Sequence, residues 1–323
     1  MTPPLLLLPL ELALPLLLPP LPPPLPPPLP PPPPLLPPPL DPVPPSPPPA
    51  PEPDPLLQLA MAATDTTAAR MKALFPMNES VPPPSLLRDV GLLCLDAGNT
   101  VVFLDHTRVA RLCAGLGLAV DAAALVRTEG EAKVALEEKR MLTPTWSMGQ
   151  VASARGWGRY LGTMLHLAGV PLEGVGPALD AMWKDHVELN LWSLVPPGLP
   201  EALGRARAAG IRVAVVSNSE GHLDALLVRL GIHACFDLVI DSALAGVEKP
   251  DPRIFHIALQ RFGIPASRAL HLGDIYATDV VGARAAGIRV ALIDPHDHLA
   301  GRHPDVPRVA GAAQVADALA RTR

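Results

Sequence analysis

Val90-Gly91-Leu92-Leu93-Cys94-Leu95-Asp96-Ala97-Gly98-Asn99-Thr100 decides how the rest of the chain is understood. The first six residues form a short continuous apolar run, the pattern of a strand covered on both faces of a parallel sheet. Asp96, which ends the run, stands where open α/β sheets place their chemistry, beyond the carboxyl end of a strand. Similar runs follow at Arg212–Val216, Leu238–Ile240, Ala269–Leu272 and Arg289–Ile293, with helical patterns between them. The clearest helix opens at Asp251-Pro252, a capping residue and a residue suited to the first helical position, and closes at Gly263. Ile254, Ile257, Ala258 and Phe262 are its expected buried stripe. Another helix is expected from Asp279 to Ala286, ended by Gly287. The alternation predicts an α/β fold with a doubly wound parallel sheet.

Over a hundred residues separate the first strand from the second, and they carry helical patterns only. Val175, Leu179 and Met182 show the i, i+4, i+7 spacing of a helix face. Trp146, Trp157, Trp183 and Trp192 all fall in this stretch, which would sit over the carboxyl ends of the strands as a lid. The tryptophans are expected to form the core of that insertion, with substrate contact as the alternative role.

The amino-terminal region is different in kind. Of the 45 prolines, 29 lie in residues 1–55, interleaved with leucine. Proline has a fixed φ and no N–H, so extended polyproline II is the physical expectation there. Pro9, Glu11 and Pro15 interrupt the Leu5–Leu18 stretch, and no Lys or Arg precedes Arg70. A membrane span, a secretory leader and an Arg-rich transit peptide are therefore not expected. The composition shift predicts a disordered extension, or a native start at Met61, Met71 or Met77. The net charge of −5 gives no electrostatic case for nucleic acid or an anionic membrane as partner. The spacing of Cys94, Cys113 and Cys235 matches neither a disulfide framework nor a zinc motif, and Cys94 is expected to be a buried structural thiol. A reducing, cytoplasmic setting fits.

Four sites close strands in chain order: Asp96 with Thr100; Ser217-Asn218; Lys249 in Gly246-Val247-Glu248-Lys249-Pro250-Asp251; and Gly273-Asp274 followed by Asp279. Each alone is weak, but together they describe a phosphoryl site. Asp96 would attack phosphorus to form an aspartyl-phosphate. Asp274 with Asp96 would hold Mg²⁺, a hard cation that prefers oxygen ligands. Lys249 and the metal would neutralise the phosphoryl oxygens, and Ser217 with backbone N–H groups would hydrogen-bond them. Asp279 would orient Lys249 or take part in the metal site. Substrate contacts fall to Ser217, Asn218, Thr100 and Lys249.

This order resembles the haloacid dehalogenase-like hydrolase superfamily, in its subfamily with a helical cap after the first motif. The resemblance covers about residues 89–295 and is most specific over Phe236–Pro295, in the runs Gly246–Phe255 and His271–Gly287. It implies a Rossmann-like core formed by residues 87–105 and 196–323, a helical cap over residues 106–195, and an extension over residues 1–86. It makes Asp96 the nucleophile, Ser217 the phosphoryl ligand, Lys249 the charge-neutralising lysine, Asp274 the metal ligand and Asp279 the second acid of the last motif. The expected substrate is a small phosphorylated molecule.

Family phosphatases carry an aspartate as general acid and base where this chain has Gly98. A proton-transfer group is worth roughly 10²–10⁴-fold. The resemblance also gives that position's backbone carbonyl to Mg²⁺, and glycine keeps the carbonyl. Two branches of the superfamily lack the same acid. The dehalogenases work without metal and lack the pair seen here as Asp274 and Asp279. The phosphonoacetaldehyde hydrolases use Mg²⁺ and a cap lysine that forms a Schiff base. Lys133 and Lys139 lie in a suitable region, but Glu129 to Lys139 is expected to be a solvated helix face with i,i+4 pairing. His106, beside Asp105 at the start of the cap, is a candidate replacement acid, with a solvated loop as the alternative. His296, Asp297, His298 and His303 resemble a metal cluster in composition but are expected to form a solvated loop. The expected activities are therefore a Mg²⁺-dependent phosphatase favouring good leaving groups, a C–P or C–halogen hydrolase, or a weakly catalytic phosphoryl-binding module.

Overall fold

The computed structural model describes residues 82–322. The proline-rich segment and the alternative start sites lie outside those residues. Helix α1 (Pro84–Leu87) begins the described chain, and Leu86 and Leu87 are buried against the main core. Leu86, which the expected boundary put in the extension, thus packs with the folded part. Strand β1 (Leu92–Leu95) leads into the ribbon strand β2 (Phe103–Leu104). Four helices follow: α2 (His106–Ala114), α3 (Ala122–Glu137), α4 (Ala152–Leu167) and α5 (Leu172–Glu188). The chain returns through β3 (Trp192–Leu194), antiparallel to β2.

The remainder alternates. Helix α6 (Leu199–Ala208), β4 (Arg212–Ser217), α7 (Leu223–Arg229), β5 (Leu238–Asp241) and α8 (Ser242–Ala245) come first. Helix α9 (Arg253–Phe262) and β6 (Ala269–Gly273) follow. A π-type turn at Tyr276–Val280 runs into α10 (Val281–Ala285), then β7 (Arg289–Ile293), β8 (Arg308–Val309) and α11 (Ala312–Arg321). The sheet order is β5-β4-β1-β6-β7-β8, and every pair in it is parallel. Strand β1 is central, with Cys94 opposite both Ala214 and His271.

The period-two alternation of strands assigns the two cores. Leu93 and Leu95 join Val213, Val215, Leu270 and Leu272 on one face, covered by α6, α7 and α11. Leu92 and Cys94 join Ala214 and Val216 on the other, covered by Ile254, Phe255 and Ala258 of α9 and Ala283 of α10. This is the expected doubly wound α/β sheet. The α9 stripe is partly different from expectation: Phe255 and Leu259 are buried, while Ile257 is exposed. Asp251 accepts from the Arg253 N–H at 2.9 Å, and Gly263 ends the helix at φ 62°.

The helices between β2 and β3 have a separate core that includes Val175, Leu179 and Met182, as their spacing required, with Leu161 and Met164. Trp146, Trp157 and Trp183 pack edge-on or tilted, with centroids 5.1–5.8 Å apart. Arg108 on α2 closes the end of α5: its guanidinium donates to the carbonyls of Asp185, Leu189 and Asn190. These are carbonyls that a helix terminus leaves without partners, and a cation there also complements the helix dipole. No helix among the described residues is long and apolar enough to cross a membrane.

Candidate active site

Asp96, Ser217 and Asp274 each stand at or just beyond the carboxyl end of a strand, and β4, β1 and β6 are neighbours. The sheet order reverses about β1, so the site lies at the topological switch point. Asp96, Gly98, Ser217, Lys249, Asp274 and Asp279 line one cleft of about 390 Å³. The helical segment supplies the opposite wall, including Trp157, Tyr160 and, on β3, Trp192.

Lys249 is the centre of the charge arrangement. Its buried ammonium donates to Asp96 Oδ1 at 2.5 Å and to Asp279 Oδ1 at 2.6 Å. Asn218 holds the backbone of Lys249 at both ends. It accepts from the Lys249 N–H at 2.7 Å and donates to the Lys249 carbonyl at 2.9 Å. Asn218 lines the cleft, as expected, and its side chain also positions the Lys249 backbone. Asp279 is held as firmly: Oδ1 also meets His271 Nε2 at 2.9 Å, and Oδ2 accepts from the Ile275 N–H at 3.0 Å. Gly273 makes this possible, since a Cβ there would lie 2.2 Å from Asp279 Cγ.

Ligand oxygens of Asp96, Asp274 and Asp279 lie within 4.8 Å of one another, which makes them the metal-capable group among the described residues. Oxygen donors suit a hard divalent cation. Both oxygens of Asp279 are already engaged, so Asp96 and Asp274 are the better ligands, and Gly98 lines the same cleft.

Burial in this low-dielectric crevice pushes the Asp96 carboxyl up to about 7, with Asp279 and Asp274 adding repulsion and Lys249 opposing. Burial also raises Asp274, against the pull of Lys133. For Asp279 burial acts upward too, but Lys249 and His271 outweigh it and hold the group below the usual carboxylate range. Burial lowers His271.

Two residues on α3 were not expected here. Glu129 and Lys133 are buried, contrary to the solvated face predicted for this helix. Lys133 Nζ lies 2.9 Å from Asp274 Oδ2. Glu129 accepts from Asn99 Nδ2 at 2.5 Å and from the Tyr160 hydroxyl at 3.2 Å, and its other oxygen meets His106 Nε2 at 3.1 Å. The Asn99 amide also donates to Asp274 Oδ2 at 3.2 Å, joining the turn after β1 to α3. A signal was present in the sequence: Leu125, Thr128, Glu129 and Ala132 keep a helical spacing that carries both charges on the Leu125 side. Lys139 remains exposed.

Other expected sites fall elsewhere. His106 is buried behind Glu129 and lines a smaller cavity with His296 and His298; it is not among the residues that line the Asp96 cleft. Asp105 caps α2, accepting from the Arg108 N–H at 3.0 Å. The loop expected to be solvated is partly docked on α3. His298 lies against Gly130, and His303 stacks on Tyr276 and pairs with Glu137 at 3.0 Å. Thr100 lies beneath the turn and outside the cleft lining, and its Oγ1 is buried without a partner.

Comparison with known proteins identifies the family. The family profile described as haloacid dehalogenase-like hydrolase matches residues 90–287. Haloacid dehalogenase-like hydrolase domain-containing protein 3 of Bos taurus is 33% identical over 208 residues, covering 62% of this chain and 81% of that protein. The phosphoserine phosphatase of Thermus thermophilus is 37% identical over 125 residues, 38% of this chain and 48% of that enzyme. Among solved structures, the HAD phosphatase of Thermococcus onnurineus covers 69% of this chain and 94% of its own, with a TM-score of 0.43 at 16% identity. On the profile match and the Bos taurus relative together, the chain belongs to the haloacid dehalogenase-like hydrolases.

Proposed function

We propose that this hydrolase is a Mg²⁺-dependent phosphatase of small phosphorylated molecules, with Asp96 as nucleophile. The observation that carries the reading is the buried Asp96–Lys249–Asp279 chain, with contacts of 2.5 and 2.6 Å, opening on a cleft that also holds Ser217. Relatives named as phosphatases of phosphoserine, ribulose-1,5-bisphosphate and glyceraldehyde 3-phosphate support it.

In this reading Asp96 forms a bond to phosphorus as the ester oxygen departs with its electron pair. Water then cleaves the aspartyl-phosphate, releasing phosphate and restoring the carboxylate. Lys249 holds Asp96 in place and faces the transferred group with positive charge, and the Ser217 hydroxyl is positioned to hydrogen-bond it. Asp96 and Asp274, with the Gly98 carbonyl, would hold Mg²⁺, which supplies further charge stabilisation when bound. Gly98 offers no proton to the departing oxygen. The substrates best served are therefore acyl and aryl phosphates, whose leaving groups depart as stable anions.

The carbon–phosphorus alternative draws on Lys133, which stands beside Asp274. Schiff-base formation needs a neutral amine. Burial favours that form, but Asp274 and Glu129 outweigh it and hold Lys133 as an ammonium. The phosphate reading is therefore preferred.

The test is turnover of acyl, aryl and alkyl phosphates, a phosphonate and a 2-haloacid in the presence of Mg²⁺, by the wild type, Asp96→Asn and Gly98→Asp. Phosphate release by the wild type, lost in Asp96→Asn, is the expected result. Activity confined to Gly98→Asp would identify a phosphoryl-binding module instead. Release of halide or cleavage of the phosphonate would overturn the phosphatase reading.

A further inference from the structure

Lys133 reaches the site from the helical segment, and its partner is Asp274, one of the carboxylates able to ligate a divalent cation. Both side chains are almost completely buried, so water screens their interaction little. Asp274 Oδ2 is occupied twice, by Lys133 Nζ at 2.9 Å and by Asn99 Nδ2 at 3.2 Å. A divalent cation at Asp274 meets a like charge anchored on the same carboxylate.

The local charge balance makes the conflict concrete. Asp96, Asp274, Asp279 and Glu129 surround the ammonium groups of Lys249 and Lys133. Carboxyl groups outnumber ammonium groups in this buried cluster, which attracts a divalent cation, and the Lys133 charge weakens that attraction. Asp294 does not alter this, because Arg308 pairs with it at 2.9 Å.

We propose that the Lys133 ammonium competes with the divalent cation for Asp274, so that metal binding and the docking of α3 on the core oppose each other. The coupling is reciprocal: the factor by which Lys133 weakens the metal is the factor by which the metal weakens the Lys133–Asp274 contact. Docking of α3 has other supports, at Asn99–Glu129, His303–Glu137 and Arg302–Glu138, so release of Lys133 need not detach the helix. The competition rests on the magnesium reading given above.

Calorimetric titration of Mg²⁺ into the wild type, Lys133→Gln and Lys133→Arg measures the coupling without turnover. The expected result is that Lys133→Gln binds Mg²⁺ about tenfold or more tightly than the wild type, from loss of one nearby positive charge. Lys133→Arg, which keeps the charge, should stay near the wild type. Equal or weaker binding by folded Lys133→Gln would overturn the competition and leave the magnesium reading intact. Absence of Mg²⁺ binding by both wild type and Lys133→Gln would overturn both. Should Lys133→Gln fail to fold, acylation of Lys133 in the wild type by an N-hydroxysuccinimide ester, followed by peptide mass, provides the second measurement. Saturating Mg²⁺ should accelerate modification of Lys133 several-fold, and an unchanged rate would overturn the proposal.

Discussion

Gly273 shows how little room the site leaves at the scale of one residue. Its missing Cβ is where the Asp279 carboxyl lies, so Gly273→Ala must push Asp279 away from Lys249 and His271. Turnover should fall by at least about tenfold, because misplacement by an ångström is enough to cost that much. Steady-state kinetics beside a circular dichroism spectrum will separate this from unfolding. Gly98 is the opposite case. A Cβ there would sit 3.5 Å from Trp192 Nε1, ordinary contact, so Gly98→Asp has room to add a carboxyl at the cleft. Turnover of alkyl phosphates should rise by roughly 10²–10⁴-fold if the added acid reaches the leaving oxygen. Rates on aryl phosphates should change much less. The placements of Asp96, Ser217, Lys249, Asp274 and Asp279 around one site were legible in the sequence, since each ends a recognisable strand or follows one closely. Glu129 and Lys133 were legible only through the Leu125 spacing, because an i,i+4 acid–base pair by itself reads the same on a buried face as on a wet one. What Asn218 does was hidden for another reason: its partner is the backbone of a residue 31 positions away.

Elements are tied to one another by similar buried groups. Asp237, just before β5, accepts from Arg207 of α6 at 2.8 Å and from the Val213 N–H of β4 at 2.9 Å. Burial raises this carboxyl, but the bonds from Arg207 and Val213 outweigh it and set it below the usual range. A depressed folded-state value contributes stability above the ordinary carboxylate pKa, and the contribution is lost as pH falls through the folded value. Asp237→Asn should therefore destabilise the protein by about 1–3 kcal/mol at neutral pH. The difference from the wild type should shrink in acid, as urea unfolding at several pH values will show. Strands β1, β4, β5, β6 and β7 were visible in the sequence because strands buried on both faces read as unbroken apolar runs. Strands β2, β3 and β8 span two or three residues, too few for any periodicity, and only their pairing defines them.

At the scale of the molecule, the apolar interior of the described residues falls into a pair of cores about the sheet and a third within the helical segment. Leu179 belongs to the third. Leu179→Ala should cost about 2–5 kcal/mol and act first on that segment. Hydrogen exchange should then rise in α4 and α5 while the amides of β1, β4 and β6 stay protected. Uniform loss of protection would show that the cores unfold as one unit. The segment also departs and returns side by side: β2 pairs with β3, and the Asp105 N–H donates to the Leu191 carbonyl at 2.9 Å. It follows that residues 106–190 leave and rejoin the core at one place. A replacement of different length can be spliced between the ribbon strands without stretching the sheet, and the Asp96–Lys249–Asp279 chain stays behind in the core. Such a transplant carries Glu129 and Lys133 away with it. The outer wall of the cleft and the charge set against Asp274 are therefore carried by one segment.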